Sequence, residues 1–142
     1  MTEPTAGSRS IVVEREMPHP PEKIWRALTQ RSLLEQWLLE NDFEPVVGRR
    51  FSFRRTPLPQ WNGVIDCEVT LVEPPTRLVY RWSPFDGLKT VVAWTLTPTK
   101  NGTLVRMEQS GFGPGQGGAF QGASYGWRKF IGGLEAVLAG MD

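Results

Sequence analysis

The chain has 142 residues, and its sixteen basic side chains face fifteen acidic ones. A balance that close excludes a field strong enough to gather nucleic acid or an anionic membrane. One cysteine, Cys67, and one histidine, His19, exclude an intrachain disulfide, a four-cysteine zinc site and any triad or metal cluster that needs two histidines. The expected cofactor set is therefore none.

The length fits one domain spanning residues 1–142. No apolar run approaches the roughly 20 residues needed to cross a bilayer, so no membrane span is expected. The N-terminal "MTEPTAGSRS" has no signal-peptide core, which makes cytoplasmic the expected location. Aromatic content stands out, with six tryptophans and seven phenylalanines. Side chains of that size predict either a thick core or an aromatic-lined hollow.

In chain order, Met1 to Ser8 is expected to be disordered. "SIVVEREM" then reads as a first strand with Ile11, Val13 and Met17 on one face. In "PPEKIWRAL", Pro21 suits the first turn of a helix and Glu22 its positive end, with Ile24, Trp25 and Leu28 as the apolar stripe. Ser32 is placed to cap a second short helix, "LLEQWLLE", in which Leu33, Leu34, Trp37 and Leu38 repeat at helical spacing.

From Phe43 to Phe112 the period becomes two. Inward positions are Phe51, Phe53 and Arg55; then Ile65, Cys67, Val69 and Leu71; then Leu78, Tyr80 and Trp82; then Val92, Trp94 and Leu96; then Val105, Met107 and Gln109. Turn signals at Pro74-Pro75, Pro84 to Gly87 and Asn101-Gly102 separate the runs, so neighbours are antiparallel. One-sided alternation means one buried face. The segment "AFQGASYGWRKFIGGLEAVLAG" is the only long helical pattern. It presents Phe120, Trp127, Phe130, Ile131, Leu134, Val137 and Leu138 as a stripe to cover that face. Gly122, Gly126, Gly132 and Gly133 inside it each cost about 1 kcal/mol of helix propensity, so packing against the sheet must hold the helix. These glycines either permit close backbone approach or leave space. The architecture is α+β: a curved antiparallel sheet gripping a C-terminal helix, with the two short helices closing one end.

Pro21, Trp25, Ala27, Leu28, Thr29, Leu34 and Trp37, then Gly48 and Phe51, then "VEPPTRLVYRW", then "GTLVRMEQSGF", occur in that order before a terminal helix. This text resembles the family of homologues of the activator of heat-shock-protein-90 ATPase, over about residues 10 to 138. That family belongs to the START-like, or SRPBCC, helix-grip superfamily. The resemblance implies a helix-grip fold and is weaker for function. Relatives bind lipids, polyketides, hormones or antibiotics, and a few are cyclases or hydrolases. By the same resemblance the short helix pair closes a cavity and is not a DNA reader. "LLEQWLLE" agrees, since it offers no Arg or Lys to a phosphate backbone.

Candidate sites follow. "GPGQGG", Gly113 to Gly118, matches G-x-G-x-x-G, but no strand follows the helix to carry the acidic partner of a dinucleotide site. It is read as a loop at a cavity mouth, free to gate it. Cys67 is expected to be a buried inert thiol. Arg55 shares the parity of Phe53. It either leaves by the strand's end or reaches the interior to fix an acidic ligand group. Gln109 either bonds within the protein or orients a ligand. Asp66, Glu68 and Glu108 have outward parity, so no inward carboxylate pair is available for acid–base work.

The candidate ligand-binding set is Trp37, Phe53, Arg55, Trp82, Trp94, Gln109, Phe112 and Trp127. Trp37, Phe112 and Tyr125 are expected near the entrance. The leading expectation is binding of a hydrophobic small molecule of aromatic, polyketide or lipid-like type. The alternatives are a co-chaperone that binds heat-shock protein 90 and stimulates its ATPase, and a polyketide cyclase or hydrolase.

Overall fold

A computed structural model describes residues 9–141. The disorder expected of residues 1–8 lies outside the described residues. The elements run β1 (Arg9–Met17), α1 (Pro21–Thr29), α2 (Arg31–Trp37), β2 (Glu40–Asn41), β3 (Arg50–Arg54), β4 (Val64–Glu73), β5 (Arg77–Phe85), β6 (Leu88–Thr99), β7 (Gly102–Phe112) and α3 (Gly117–Ala139). The strands form a seven-stranded sheet in the order β1-β7-β6-β5-β4-β3-β2, with every neighbouring pair antiparallel. The helix-grip expectation holds. α3 lies across the face that carries Trp82, Trp94 and Gln109.

Each element follows from local chemistry. Pro21 opens α1, where its missing N–H costs nothing, and Glu22 sits in the first turn. Ile24, Ala27 and Leu28 are its buried side. In α3, Trp127, Ile131, Leu134 and Leu138 are buried, one side of a helix repeating every three to four residues. The long β6–β7 hairpin turns at Lys100-Asn101. Gly102 is required there, because a Cβ would run into the carbonyl of Met17 as the chain leaves β1.

Three expectations are corrected. Ser32 does not cap the second helix: α2 starts at Arg31 behind Gln30 and has no side-chain cap. The helix also stops at Trp37, since Glu40 and Asn41 leave it to pair with Arg54 and Phe53 of β3. In β4 the register slips between Val69 and Leu71, leaving Thr70 as an extra residue. The slip reverses the parity, so Val72 and not Leu71 packs on the core.

The core is a continuous cluster of aliphatic and aromatic side chains. Trp94, Tyr80, Phe43, Phe53 and Phe112 are its largest fully buried members. Hiding a ring of this size from water is worth on the order of 5 kcal/mol as an upper bound. Trp94 and Phe112 reach α3, where they meet Trp127 and Phe120.

Candidate functional site

The site is built from rings on four elements. Trp37 ends α2, Trp82 stands on β5, Trp94 on β6 and Trp127 on α3. Their centroids make a chain: Trp37 to Trp94 5.7 Å, Trp94 to Trp127 5.8 Å, Trp127 to Trp82 5.2 Å, and Trp82 to Phe53 5.2 Å. These are the edge-on and tilted arrangements that aromatic quadrupoles favour. Gly133 of α3 faces α2. A Cβ there would stand 3.4 Å from the carbonyl of Trp37, tight but not excluded. Gly122 and Gly132 meet nothing within 4 Å and are exposed.

A polar relay runs through the rings. The Trp127 indole N–H donates to Gln109 Oε1 at 2.7 Å. Gln109 Nε2 donates to Thr90 Oγ1 at 2.9 Å, and Thr90 Oγ1 donates to the Trp82 carbonyl at 2.6 Å. The Trp94 indole donates to the Tyr80 hydroxyl at 3.0 Å, and the Trp37 indole to the Ala27 carbonyl at 2.9 Å. The buried amide of Gln109, the Thr90 hydroxyl and the indoles of Trp37, Trp94 and Trp127 each have a partner, as burial requires. Burial pushes the Tyr80 hydroxyl up against the opposing bond from Trp94. Burial, with Asp66 and Asp42 nearby, pushes the Cys67 thiol up, so Cys67 is a hydrophobe here and not a nucleophile.

The expected residues therefore divide. Trp37, Phe53, Trp82, Trp94, Gln109 and Trp127 come together. Phe112 is also buried but pairs with Phe120 at 5.4 Å, away from the tryptophan chain. Trp37 and Phe112 are interior, not at an entrance, while Tyr125 is 73% exposed. Arg55 does not reach the interior. β3 ends at Arg54, the Arg55 backbone closes a loop onto Gly63, and its exposed guanidinium lies 5.9 Å from the Trp61 ring centroid. Between α3 and the sheet the rings stand 5.2 to 5.8 Å apart, centroid to centroid. Two depressions, of ≈ 510 and ≈ 530 Å³, lie elsewhere. One is on the outer face around Arg50, Glu68, Arg81 and Lys89, and the other is beside Leu58, Trp61 and Phe85.

Thr90 was missed, although it shares the parity of Val92 and Trp94 and was therefore readable. Gln116 was also missed. It sits in the loop before α3, accepts the Gly113 N–H at 2.7 Å and donates to the Gly87 carbonyl at 2.6 Å. It thus ties that loop to the β5–β6 turn. Its loop stands out in the sequence by its glycines, and nothing in the spacing points to Gly87.

The comparisons with known proteins agree with this architecture. A protein of Mesorhizobium loti, solved by crystallography, is 50% identical; the match covers 94% of this chain and 99% of that one, with a TM-score of 0.87. A Bacillus halodurans protein solved in solution is 26% identical over 92% of this chain and 96% of that one, with a TM-score of 0.78. DynU16, from the dynemicin biosynthetic locus, is 28% identical at a TM-score of 0.77, covering 92% of this chain but 47% of that one. This chain thus spans about half of DynU16. No curated protein matches the sequence. Residues 18–139 match the family described as activator of Hsp90 ATPase homolog 1-like protein, and the chain belongs to that family.

Proposed function

We propose that the protein binds a hydrophobic, flat aromatic small molecule between α3 and the sheet, at Trp82, Trp94, Trp127 and Gln109. The observation that carries this reading is the meeting of three tryptophan rings around one buried amide. Small-molecule sites pair a wide apolar wall with a few placed polar groups in this way. The likeness to a protein of a biosynthetic locus supports a small-molecule role.

The rings touch one another, so a ligand enters by exchange. Lifting the N-terminal half of α3 gives up ring–ring contacts and regains ring–ligand contacts of the same kind. Apolar burial at about 25 cal/mol per Å² supplies the affinity. The entry side is where α3 is least deeply seated: Ala119, Phe120 and Ala123 are only partly buried, and the Gln116 bonds close the preceding loop.

Calorimetric titration with a panel of fused-ring aromatics at several temperatures tests the reading. One-to-one binding with a negative heat-capacity change is expected, because apolar surface is buried. Absence of binding across aromatic, polyketide and lipid-like classes would overturn it.

A further inference from the structure

We infer that the ligand is uncharged and carries a hydrogen-bond acceptor beside a donor, as in a lactam, which together take over the bond now joining Trp127 to Gln109. The inference rests on the binding reading above and narrows it.

Two side-chain hydrogen bonds tie α3 to the sheet among the described residues. Arg15 to Glu135 at 2.7 Å is at the β1 edge and partly exposed. Trp127 to Gln109 is in the interior, with both residues almost wholly buried. A planar molecule inserted among Trp82, Trp94 and Trp127 separates the second pair. One edge of it then meets both the indole N–H of the helix and the amide oxygen of the sheet, drawn apart but still neighbours.

The orientation of that amide is fixed by chemistry. An indole nitrogen only donates, so the Gln109 atom facing it is the oxygen. The other end of the amide donates to Thr90, whose own proton is spent on the Trp82 carbonyl. Gln109 therefore cannot turn its NH₂ into the gap without breaking both bonds. A ligand that leaves either exposed group unpaired forfeits a buried hydrogen bond, roughly a factor of ten in affinity. One that offers an acceptor to the indole and a donor to the amide oxygen forfeits neither.

The charge follows from the same inventory. The buried polar residues are Ser52, Thr90, Thr103 and Gln109, so no charged side chain is buried among the described residues. The nearest aromatic-facing cations are on the outside, Arg9 over Phe120 and Arg55 beside Trp61. A carboxylate carried into the gap would find no counter-ion, and burying an unpaired charge is costly.

Three probes on one three-ring skeleton separate the possibilities: phenanthridinone (adjacent N–H and C=O), phenanthridine (acceptor only) and phenanthridine-6-carboxylate (anion). Dissociation constants are measured by calorimetry for the wild-type protein, Gln109→Met and Trp127→Phe. Phenanthridinone should bind at least about tenfold more tightly than the other two. Gln109→Met, which removes the amide oxygen, should shrink its advantage over phenanthridine to under about threefold, whereas Trp127→Phe, which removes only the indole donor, should weaken both neutral probes and leave that advantage in place; the two variants guard against one failing to fold. Equal or tighter binding of the carboxylate, or no preference for the lactam, overturns this inference and leaves the binding reading standing. No binding of any probe to the wild-type protein overturns both.

Discussion

The indole of Trp127 on α3 donates to the side-chain oxygen of Gln109 on β7 at 2.7 Å, deep between helix and sheet. Neither group touches water, so the bond contributes most through what its loss would expose. Replacing Trp127 by Phe should destabilise the fold by about 2–4 kcal/mol, from lost packing and an unpaired amide oxygen. Pairing it with Gln109→Met should cost less than the sum of the single changes by about 1 kcal/mol or more, since both partners then become apolar. Urea unfolding of the four proteins of this cycle measures the coupling; strict additivity would mean the bond is not formed.

The glycines of α3 should behave oppositely according to what faces them. Gly122 looks into open space, so Gly122→Ala should stabilise by about 0.5–1 kcal/mol through helix propensity alone. Gly133 faces the Trp37 backbone and side chain at 3.4 to 3.7 Å. Gly133→Leu should therefore force α2 off α3 and destabilise by about 1–3 kcal/mol. Thermal unfolding distinguishes the two, and equal effects would contradict the packing described.

Much of this site was legible in advance. Alternation alone placed Phe53, Trp82, Trp94 and Gln109 on one face, and helical spacing placed Trp127 opposite them. What failed did so for identifiable reasons. A bulge at Thr70 is one inserted residue with no signature of its own, and it turned Leu71 outward. The parity that assigned Arg55 inward assumed the strand continued past Arg54, where the sheet ends. Spacing says which rings face inward, not whether those rings reach one another. Gln116 to Gly87 joins residues far apart in sequence through a side-chain amide, and no periodicity reports such a bond.

Alkaline pH should destabilise the protein. Burial raises Cys67 above the 9.0 of an ordinary thiol and Tyr80 above the 10.0 of an ordinary phenol. Groups raised in the folded state contribute stability that is complete below those ordinary values. It is lost as pH climbs above them, because the unfolded chain ionises first. Denaturant midpoints should be level through neutral pH with respect to these groups and fall above about pH 9, and Cys67→Ala should fall less steeply than wild type. A thiol reagent should leave native Cys67 unmodified at pH 8 and modify it on unfolding; rapid labelling of the native protein would contradict its burial.

Gln116→Ala should loosen the loop before α3 without unfolding the protein. The Gly113 amide loses its acceptor and should exchange with solvent about tenfold faster, while global stability stays within about 0.5 kcal/mol. Hydrogen exchange read by NMR checks this. Unchanged protection at Gly113 would show that Gln116 does not hold the loop.

Tryptophan indole resonances report whether a ligand sits between α3 and the sheet. Trp82, Trp94 and Trp127 line the proposed site, whereas Trp61 lies in an outer loop with its indole bonded to the Pro84 carbonyl. Titration with phenanthridinone should move the Trp94 and Trp127 indole signals most and leave Trp61 in place. Shifts confined to Trp61, with Trp94 and Trp127 unmoved at saturation, would place binding on the outside and contradict the account.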